Sequence, residues 1–323
     1  MMRNQVSQHE SGLVTLSVVV PCYNEALVVD ELLSRLTKVA KDCVGESFEI
    51  ILVDDGSRDE TWQRILESSL RDPKVLGIRL SRNFGHQYAL TAGLDSARGD
   101  FVLIIDADLQ DPPELLHSMM ELARRGSDVV YGVRQARHGD GLFKKLTAHL
   151  FYRLLDALVE IKIPRDAGDF RLISRRALLE IQRLQEGHRY MRGMVAWIGL
   201  PQTPIYYDRE ARYAGVTKYP FRKMLSLATN AITSFSIKPL RLVLVLSLSW
   251  IVLAFFLLVW VLVQYFSGQT VPGWASLGVF ILLLGGMQLF ATSILAEYVG
   301  KIFEASKSRP LYIIQERTPE RIR

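Results

Sequence analysis

Acidic and polar residues follow four apolar runs in the first half of the chain, where they could bind a cation and a polar ligand. Asp106 and Asp108 lie two residues apart behind the run 101–105, and Gln110 comes soon after them. Carboxylate and amide oxygens are the ligands that Mg²⁺ prefers, and substrate phosphates often complete its shell. The spacing predicts a site for Mg²⁺ or Mn²⁺ at Asp106, Asp108 and Gln110. A solvated loop is the alternative interpretation, and the position behind a buried strand favours the site.

A second pair of carboxylates, Asp54 and Asp55, follows the run 48–53. Two carboxylates there could accept hydrogen bonds from a base N–H or from ribose hydroxyls. They could also form a turn that opens a helix, because Asp-Gly-Ser is common turn and cap chemistry. The two interpretations are compatible. Glu25, behind the first run, is likewise either a site residue or an acid in a first helical turn.

Short apolar runs alternate with helical patterns over residues 13–135. The runs are 16–20, 48–53, 75–80, 101–105 and 128–131, and the helical stretches lie near 26–41, 59–70, 86–98 and 113–125. Continuous β-branched runs indicate strands covered on both faces, and their alternation with helices predicts an α/β fold with a mostly parallel sheet. Such sheets bind ligands at the carboxyl ends of their strands, so the polar tips should meet at one edge. Because Gly-x-Gly-x-x-Gly and phosphate-loop motifs are absent, the sequence argues against a dinucleotide or P-loop site.

The segment from Leu242 to Ala296 contains no Asp, Glu, Lys, Arg or His. A membrane span needs about 20 apolar residues, so the segment predicts a transmembrane hairpin with spans at 242–263 and 275–296. A buried core hairpin is the alternative. Basic flanks predict an inner-membrane protein whose large N-terminal domain and termini are all cytoplasmic. The membrane would also account for the net charge of +5, so nucleic acid is not needed as a partner.

These patterns divide the chain into five parts. They are a polar tail at 1–12, a catalytic domain at 13–218, an interfacial amphipathic helix at 219–239, the hairpin at 240–297 and a C-terminal tail at 298–323. An ordinary surface helix is the alternative for the third part, whose basic and apolar residues are mixed.

A set of short motifs occurs in a familiar order. The motifs are Pro21-x-Tyr23-Asn24-Glu25, Asp54-Asp55-Gly56-Ser57, Asn83-Phe84-Gly85, Asp106-Ala107-Asp108-Leu109-Gln110-Asp111, Gly168-Asp169-Phe170-Arg171 and Gly215-x-Thr217-Lys218-Tyr219. The set resembles glycosyltransferase family 2, and in particular its polyprenyl-phosphate branch, which includes bactoprenol glucosyltransferases and, more distantly, dolichol-phosphate mannose synthases.

The resemblance implies a GT-A nucleotide-sugar fold and a homotetramer. It also implies a role for each motif residue. Asp54 and Asp55 would hold the nucleoside in a pocket lined by Pro21, Tyr23 and Glu25, while Asp106, Ala107 and Asp108 would contact the donor, and Asp106, Asp108 and Gln110 would hold the metal. Arg134, Arg171, Arg212 and Lys218 would contact the lipid phosphate or the leaving diphosphate, and Asp169 matches a proposed catalytic base.

The expected reaction is metal-dependent, inverting transfer of glucose or a related hexose from a nucleotide diphosphate, UDP in the first instance, to polyprenyl phosphate. A phosphate monoester is largely a dianion at neutral pH. We therefore expect Asp169 to act mainly by positioning Arg171 or the donor sugar, and only weakly as a base. A GDP-mannose-dependent synthase and a non-catalytic sugar-nucleotide binder are the alternatives. A processive synthase is disfavoured because the chain lacks Gln-x-x-Arg-Trp.

Overall fold

The computed structural model describes residues 14–134, 167–184, 186–187, 189–208, 238–267 and 273–319. The chain forms two compact units: Met1–Lys145, Lys162–Tyr219 and Pro310–Arg323 make the first, and Leu146–Ile161 and Pro220–Arg309 make the second. The predicted tail at 1–12 lies outside the described residues, as do Arg212, Lys218 and most of the predicted interfacial helix at 219–239.

The first unit contains all eight described strands and six of the described α-helices. The strands are β1 (Leu16–Cys22), β2 (Phe48–Asp54), β3 (Val75–Leu80), β4 (Phe101–Ile104), β5 (Val129–Arg134), β6 (Ala167–Ser174), β7 (Gln202–Tyr207) and β8 (Ile314–Arg317). The helices are α1 (Val29–Val44), α2 (Thr61–Arg71), α3 (His86–Ser96), α4 (Leu116–Arg124), α5 (Arg175–Arg183) and α6 (Met191–Trp197), with a 3₁₀ turn at Pro113–Leu115.

The strands form one mixed sheet in the order β7-β5-β6-β4-β1-β2-β3-β8. The four neighbours β4, β1, β2 and β3 are parallel, as the sequence predicts. Strand β6 lies antiparallel between β4 and β5. Every residue of β1 and β2 is buried, because both faces of the central sheet are covered. The α/β fold is confirmed, and its sheet is mixed.

The C-terminal segment completes the sheet edge. Strand β8 pairs antiparallel with β3, and the Oγ1 of Thr318 accepts the Gly77 N–H at 2.9 Å. The Thr318 N–H in turn donates to the Gly77 carbonyl at 3.0 Å. The Tyr312 hydroxyl donates to Asp95 on α3 at 2.9 Å. Part of the segment predicted as a tail therefore belongs to the first unit.

The second unit contains α7 (Lys238–Phe266) and α8 (Trp274–Ser306). Within the residues that the structure describes, no helix combines the length and the apolar character needed to cross a membrane. The predicted spans at 242–263 and 275–296 are therefore wrong, and so is the predicted two-span inner-membrane location with cytoplasmic domain and termini. Absence of charge is a weaker property than a continuous apolar run, and Gln288, Thr292 and Ser293 interrupt the described part of α8.

Candidate active site

Asp55, at the end of β2, forms hydrogen bonds that connect the loop after β2 to the loop before α3. Its carboxylate accepts the backbone N–H groups of Phe84 at 2.7 Å and Gly85 at 2.9 Å, just before α3. Burial raises the pKa of Asp55, and these two donors oppose that effect. Gly56 has φ +67°, and a Cβ there would lie 2.5 Å from the Arg82 carbonyl carbon. Both oxygens of Asp55 are therefore engaged in holding the loop before α3.

Asp54 is fully buried, and one of its oxygens lacks a hydrogen-bond partner among the described residues. Its Oδ1 accepts the Ser57 N–H at 3.0 Å, while its buried Oδ2 has no hydrogen-bond partner among the described residues. The nearest cation is the Arg79 Nε, 3.6 Å from Oδ2. Burial raises the pKa of Asp54. Of the two predicted nucleoside carboxylates, Asp54 is thus the one with an unused acceptor.

The loop after β1 is tied to the loop after β2. Asn24 has φ +56° and donates its N–H to Ser57 Oγ at 2.9 Å. The Glu25 N–H donates to Thr61 Oγ1 at 2.8 Å. Pro21 is buried, whereas the Tyr23 side chain is exposed beside this loop. Of the residues predicted to line the nucleoside pocket, Tyr23 is the one with a large side chain at the surface.

The carboxylate loop, residues 106–111, follows β4. The Gln110 N–H donates to Asp108 Oδ1 at 3.2 Å, and Ala107 is buried between the two metal-ligand candidates. Leu109 adopts φ +57° although it is buried. Non-glycine residues in this conformation are strained and cluster at functional sites. The backbone therefore holds the two carboxylates in a sharp turn at the end of the strand.

The electrostatics of this loop fit a cation. Asp106 Oδ1 is buried without a hydrogen-bond partner among the described residues, and His86 Nε2 lies 3.5 Å away. Burial, together with nearby Asp169 and other carboxylates, raises the pKa of Asp106 to about 6 against the opposing effect of His86. Asp106, Asp108 and Gln110 suit a hard divalent ion that takes further oxygens from substrate and water. The described residues contain no group of three or more His, Cys, Asp or Glu that could hold a metal unaided.

Arg134 belongs to a cluster that the sequence did not reveal. Its Nη2 lies 3.3 Å from Asp111 Oδ1, and its Nε donates to the Tyr207 hydroxyl at 3.2 Å. That hydroxyl in turn donates to Asp111, which is almost fully buried. A Cβ at Gly168 would lie 3.0 Å from Arg134 Nη2. The guanidinium predicted to meet a phosphate therefore links the carboxylate loop to β7, although its side chain stays 27% exposed.

Asp169, on β6, lies at the centre of a charged network. Its Oδ1 accepts from Arg192 Nε at 2.9 Å and lies 3.7 Å from Arg171 Nη2. Its Oδ2 accepts from Gln87 Nε2 at 3.1 Å and lies 3.4 Å from His86 Nε2. Burial alone would raise the pKa of Asp169, but Arg192, His86 and Arg171 hold it well below its usual range. A carboxylate so stabilised as an anion is a poor proton acceptor near neutral pH.

Arg171 faces the protein interior. Its side chain is 3% exposed, and it donates to the Gly168 carbonyl at 2.9 Å and to the Asp169 carbonyl at 3.3 Å. Burial lowers its pKa to about 10. The structure therefore does not bring this predicted phosphate ligand to the surface of the site.

Two residues of the network, Gln87 and Arg192, carry no prediction from sequence. His86 links the two carboxylates Asp106 and Asp169, and both of them raise its pKa, to about 9, against the effect of burial. Gln87 connects Asp169 to α6, because its Nε2 donates to Asp169 Oδ2 and its Oε1 accepts the Met191 N–H at 2.9 Å. His86 and Gln87 directly follow the Asn-Phe-Gly motif, which is the one signal that could have marked Gln87. Arg192 lies in no motif.

Comparison with known proteins places this site in a family. The model of the family "Glycosyl transferase family 2" matches residues 17–182. The Bacillus subtilis glycosyltransferase YkcC is 46% identical over 307 residues, which are 94% of this chain and 94% of that protein. The bactoprenol glucosyl transferase of Shigella phage SfV is 38% identical over 301 residues, which are 93% of this chain and 98% of that protein.

A solved structure of glucosyl-3-phosphoglycerate synthase from Mycobacterium tuberculosis, in complex with Mn²⁺, UDP and glucosyl-3-phosphoglycerate, is similar with a TM-score of 0.47. It is 18% identical and covers 68% of this chain and 77% of its own. The resemblance read from the motifs is confirmed by the family model and by the curated relatives. The family model and the curated relatives together show that this chain is a glycosyltransferase and belongs to glycosyl transferase family 2.

Proposed function

We propose that this enzyme transfers glucose or a related hexose from a UDP-sugar to polyprenyl phosphate. The observation that carries the proposal is the similarity to the bactoprenol glucosyl transferase of phage SfV, which extends over 93% of this chain. The polar strand ends support it, because they gather carboxylates and cations of the kind that a nucleotide diphosphate and a phosphate monoester need. The products would be polyprenyl-phosphate hexose and UDP.

The donor would bind across the ends of β1, β2 and β4. A base or ribose would lie beside Tyr23, which is exposed on the loop after β1, while Asp54, itself fully buried and 3.6 Å from Arg79 Nε, would shape the floor of that pocket. Asp106, Asp108 and Gln110 would hold Mg²⁺ or Mn²⁺. A bound divalent ion would supply Lewis-acid stabilisation of the leaving diphosphate.

The acceptor would need little help from a base. A phosphate monoester has a second pKa near 6, so its oxygen is already deprotonated at neutral pH. That oxygen would bond to the anomeric carbon while the bond from this carbon to the UDP oxygen breaks, and UDP would leave with the electron pair. A single displacement inverts the anomeric configuration. Asp169 would act as a fixed anion that positions its cationic neighbours, in keeping with its low pKa.

The other predicted phosphate contacts remain part of the proposal. Arg134 is partly exposed beside the carboxylate loop, while Arg212 and Lys218 lie outside the described residues. The structure describes a single chain, so the tetramer implied by the family resemblance also stays a prediction.

The proposal is tested with a panel of sugar nucleotides and undecaprenyl phosphate in detergent, read by mass spectrometry of the lipid. We expect a lipid product one hexose heavier with UDP-glucose or a related UDP-hexose. Product from GDP-mannose alone would instead support a mannose synthase. Absence of product with every donor would refute sugar transfer to this lipid, and a product with the donor's own anomeric configuration would refute single displacement.

The metal is tested by chelation and by Asp108→Ala. We expect EDTA to abolish turnover and added Mg²⁺ or Mn²⁺ to restore it. Asp108→Ala should lack this metal-dependent turnover. Asp30→Ala is the matched control, since Asp30 forms an exposed ion pair with Arg64. Full activity in EDTA would show that the metal assignment is wrong.

A further inference from the structure

Arg192 presents an unused set of hydrogen-bond donors at the active site. Its Nε donates to Asp169 Oδ1 at 2.9 Å, and its side chain is 39% exposed. Among the residues that the structure describes, its two Nη groups have no hydrogen-bond partner. A guanidinium carries five N–H donors in a rigid fork that matches the oxygens of phosphate and carboxylate. Four of these donors therefore have no partner in the part of the chain that the structure describes.

The contrast with Arg171 shows what this exposure means. Both guanidinium groups lie beside Asp169, but Arg171 is 3% exposed and donates to carbonyl oxygens of its own strand. Arg171 thus serves as the buried counterion of Asp169. Arg192 contacts the same carboxylate from outside and keeps the rest of its fork available to a ligand.

The position of Arg192 is fixed from two directions. Asp169 holds its Nε, and Gln87 holds the start of α6 by accepting the Met191 N–H at 2.9 Å. The same Gln87 side chain donates to Asp169 Oδ2 at 3.1 Å. The Gln87 amide therefore fixes both the Asp169 carboxylate, which binds Arg192, and the start of α6, which contains Arg192. Donors fixed in advance need no reorganisation when charge arrives, which makes them effective in catalysis.

A chain of contacts connects Arg192 to the carboxylate loop. His86 Nε2 lies 3.4 Å from Asp169 Oδ2 and 3.5 Å from Asp106 Oδ1. Asp106 also acts electrostatically on Arg192 itself. Arg192 is therefore a neighbour of the loop at which the proposed metal and diphosphate would bind.

We propose that Arg192 binds a phosphate group of a substrate through its Nη donors, and that Gln87 is a positioning residue that holds it there. The inference rests on the proposed function. The phosphate belongs either to the diphosphate of the donor or to the monoester of the acceptor, since both present oxygens that match the fork.

The test measures kcat and KM with donor and acceptor varied separately, alongside calorimetric binding of UDP and of the polyprenyl phosphate. We expect Arg192→Ala to lower kcat/KM by about 10- to 100-fold, as for loss of hydrogen bonds to a charged group. A raised acceptor KM with intact UDP affinity would assign the monoester, and weaker UDP binding would assign the diphosphate. Arg183→Ala on α5 is the matched control, because this arginine is 74% exposed and pairs only with Glu180 among the described residues.

Arg192→Lys separates binding from folding. Lysine keeps a positive charge beside Asp169 but cannot form the fork, so we expect a native melting temperature with only partial recovery of kcat/KM. Gln87→Ala should lower kcat/KM in the wild-type background and add little in the Arg192→Ala background, as for two residues that act through one contact.

Two failures can be told apart. If the wild-type enzyme transfers no sugar, the proposed function fails, while the binding measurements on Arg192→Ala still decide the inference. If both Arg192 variants match Arg183→Ala in kcat/KM for both substrates and bind UDP and the lipid like the wild type, the inference is wrong. A Gln87→Ala effect that is fully additive with Arg192→Ala would refute its positioning role.

Discussion

The replacement Asp169→Asn tests how the charged network works, because it removes the anion and keeps the shape. Arg171 is 3% exposed and would lose its counterion. Breaking a buried ion pair costs about 3–5 kcal/mol. Arg192 and His86 are 39% and 42% exposed, and solvent screening makes their share small. At about 2–4 °C per kcal/mol for a domain of this size, the melting temperature should fall by about 6–20 °C.

The pH dependence of this loss has a defined sign. The pKa of Asp169 is depressed in the folded protein, so its anion stabilises the fold above the ordinary Asp pKa of about 3.9. That stabilisation disappears as the pH falls through the folded-state value. The difference in melting temperature between wild type and Asp169→Asn should therefore be full at neutral pH and narrow below about pH 4.

Differential scanning calorimetry from pH 3 to pH 8 measures the stability, and UDP release below the melting temperature measures turnover. We expect the variant to lose turnover by a similar factor at every pH. The control is Glu180→Gln, whose ion pair with Arg183 is exposed and should contribute well under about 1 kcal/mol. An unchanged melting temperature, with activity lost and the pH profile moved, would mean that Asp169 is a general base and that our reasoning is wrong.

Three further substitutions probe the framework of the site. Tyr207→Phe removes a hydrogen-bond donor to Asp111 Oδ1, and the other oxygen of this buried carboxylate already lacks a partner among the described residues. The unfolding free energy measured in urea should therefore fall by about 1–3 kcal/mol, and an unchanged midpoint would contradict this. Gly168→Ala places a Cβ 3.0 Å from Arg134 Nη2 and should lower turnover with little loss of stability. Gly187→Ala, where nothing lies within 4 Å of the added Cβ, should match the wild type. Equal turnover in both variants would show that the position of Arg134 does not affect turnover. Thr318→Val removes the acceptor of a buried N–H of β3 and should lower the unfolding free energy by about 1–3 kcal/mol, which thermal melting would detect or refute.

The sequence predicted the parallel part of the sheet because its signal is local. The β-branched runs at 16–20 and 48–53 form β1 and β2, and the polar residues that follow them lie at the carboxyl ends of these strands, as predicted. The antiparallel insertion of β6 depends on pairing with strands far along the chain, which no local pattern encodes. Strand β8 is short and largely polar, so its edge position gave no hydrophobic signal.

The residues of the candidate site also fall into those that local sequence predicts and those that only the fold brings together. Asp106 and Asp108 were found because they follow a buried run directly. Gln87 and Asp169 are 82 residues apart and meet only through the fold, and Arg192 carries no motif of its own. The prediction of two spans from 242 to 296 relied on the absence of charge, which does not register uncharged polar residues such as Gln288, Thr292 and Ser293 in its second half.

The antiparallel pairing of β3 with β8 has a consequence for how the chain matures. Gly77 and Thr318, which bond to each other, are separated by 241 positions in sequence. During synthesis the whole second unit must leave the ribosome before this border of the catalytic sheet can close. Until then β3 exposes unpaired amides, a surface that favours association with other nascent chains. A holding chaperone would protect the edge of β3 during that interval, and slow elongation ahead of residue 310 would lengthen it.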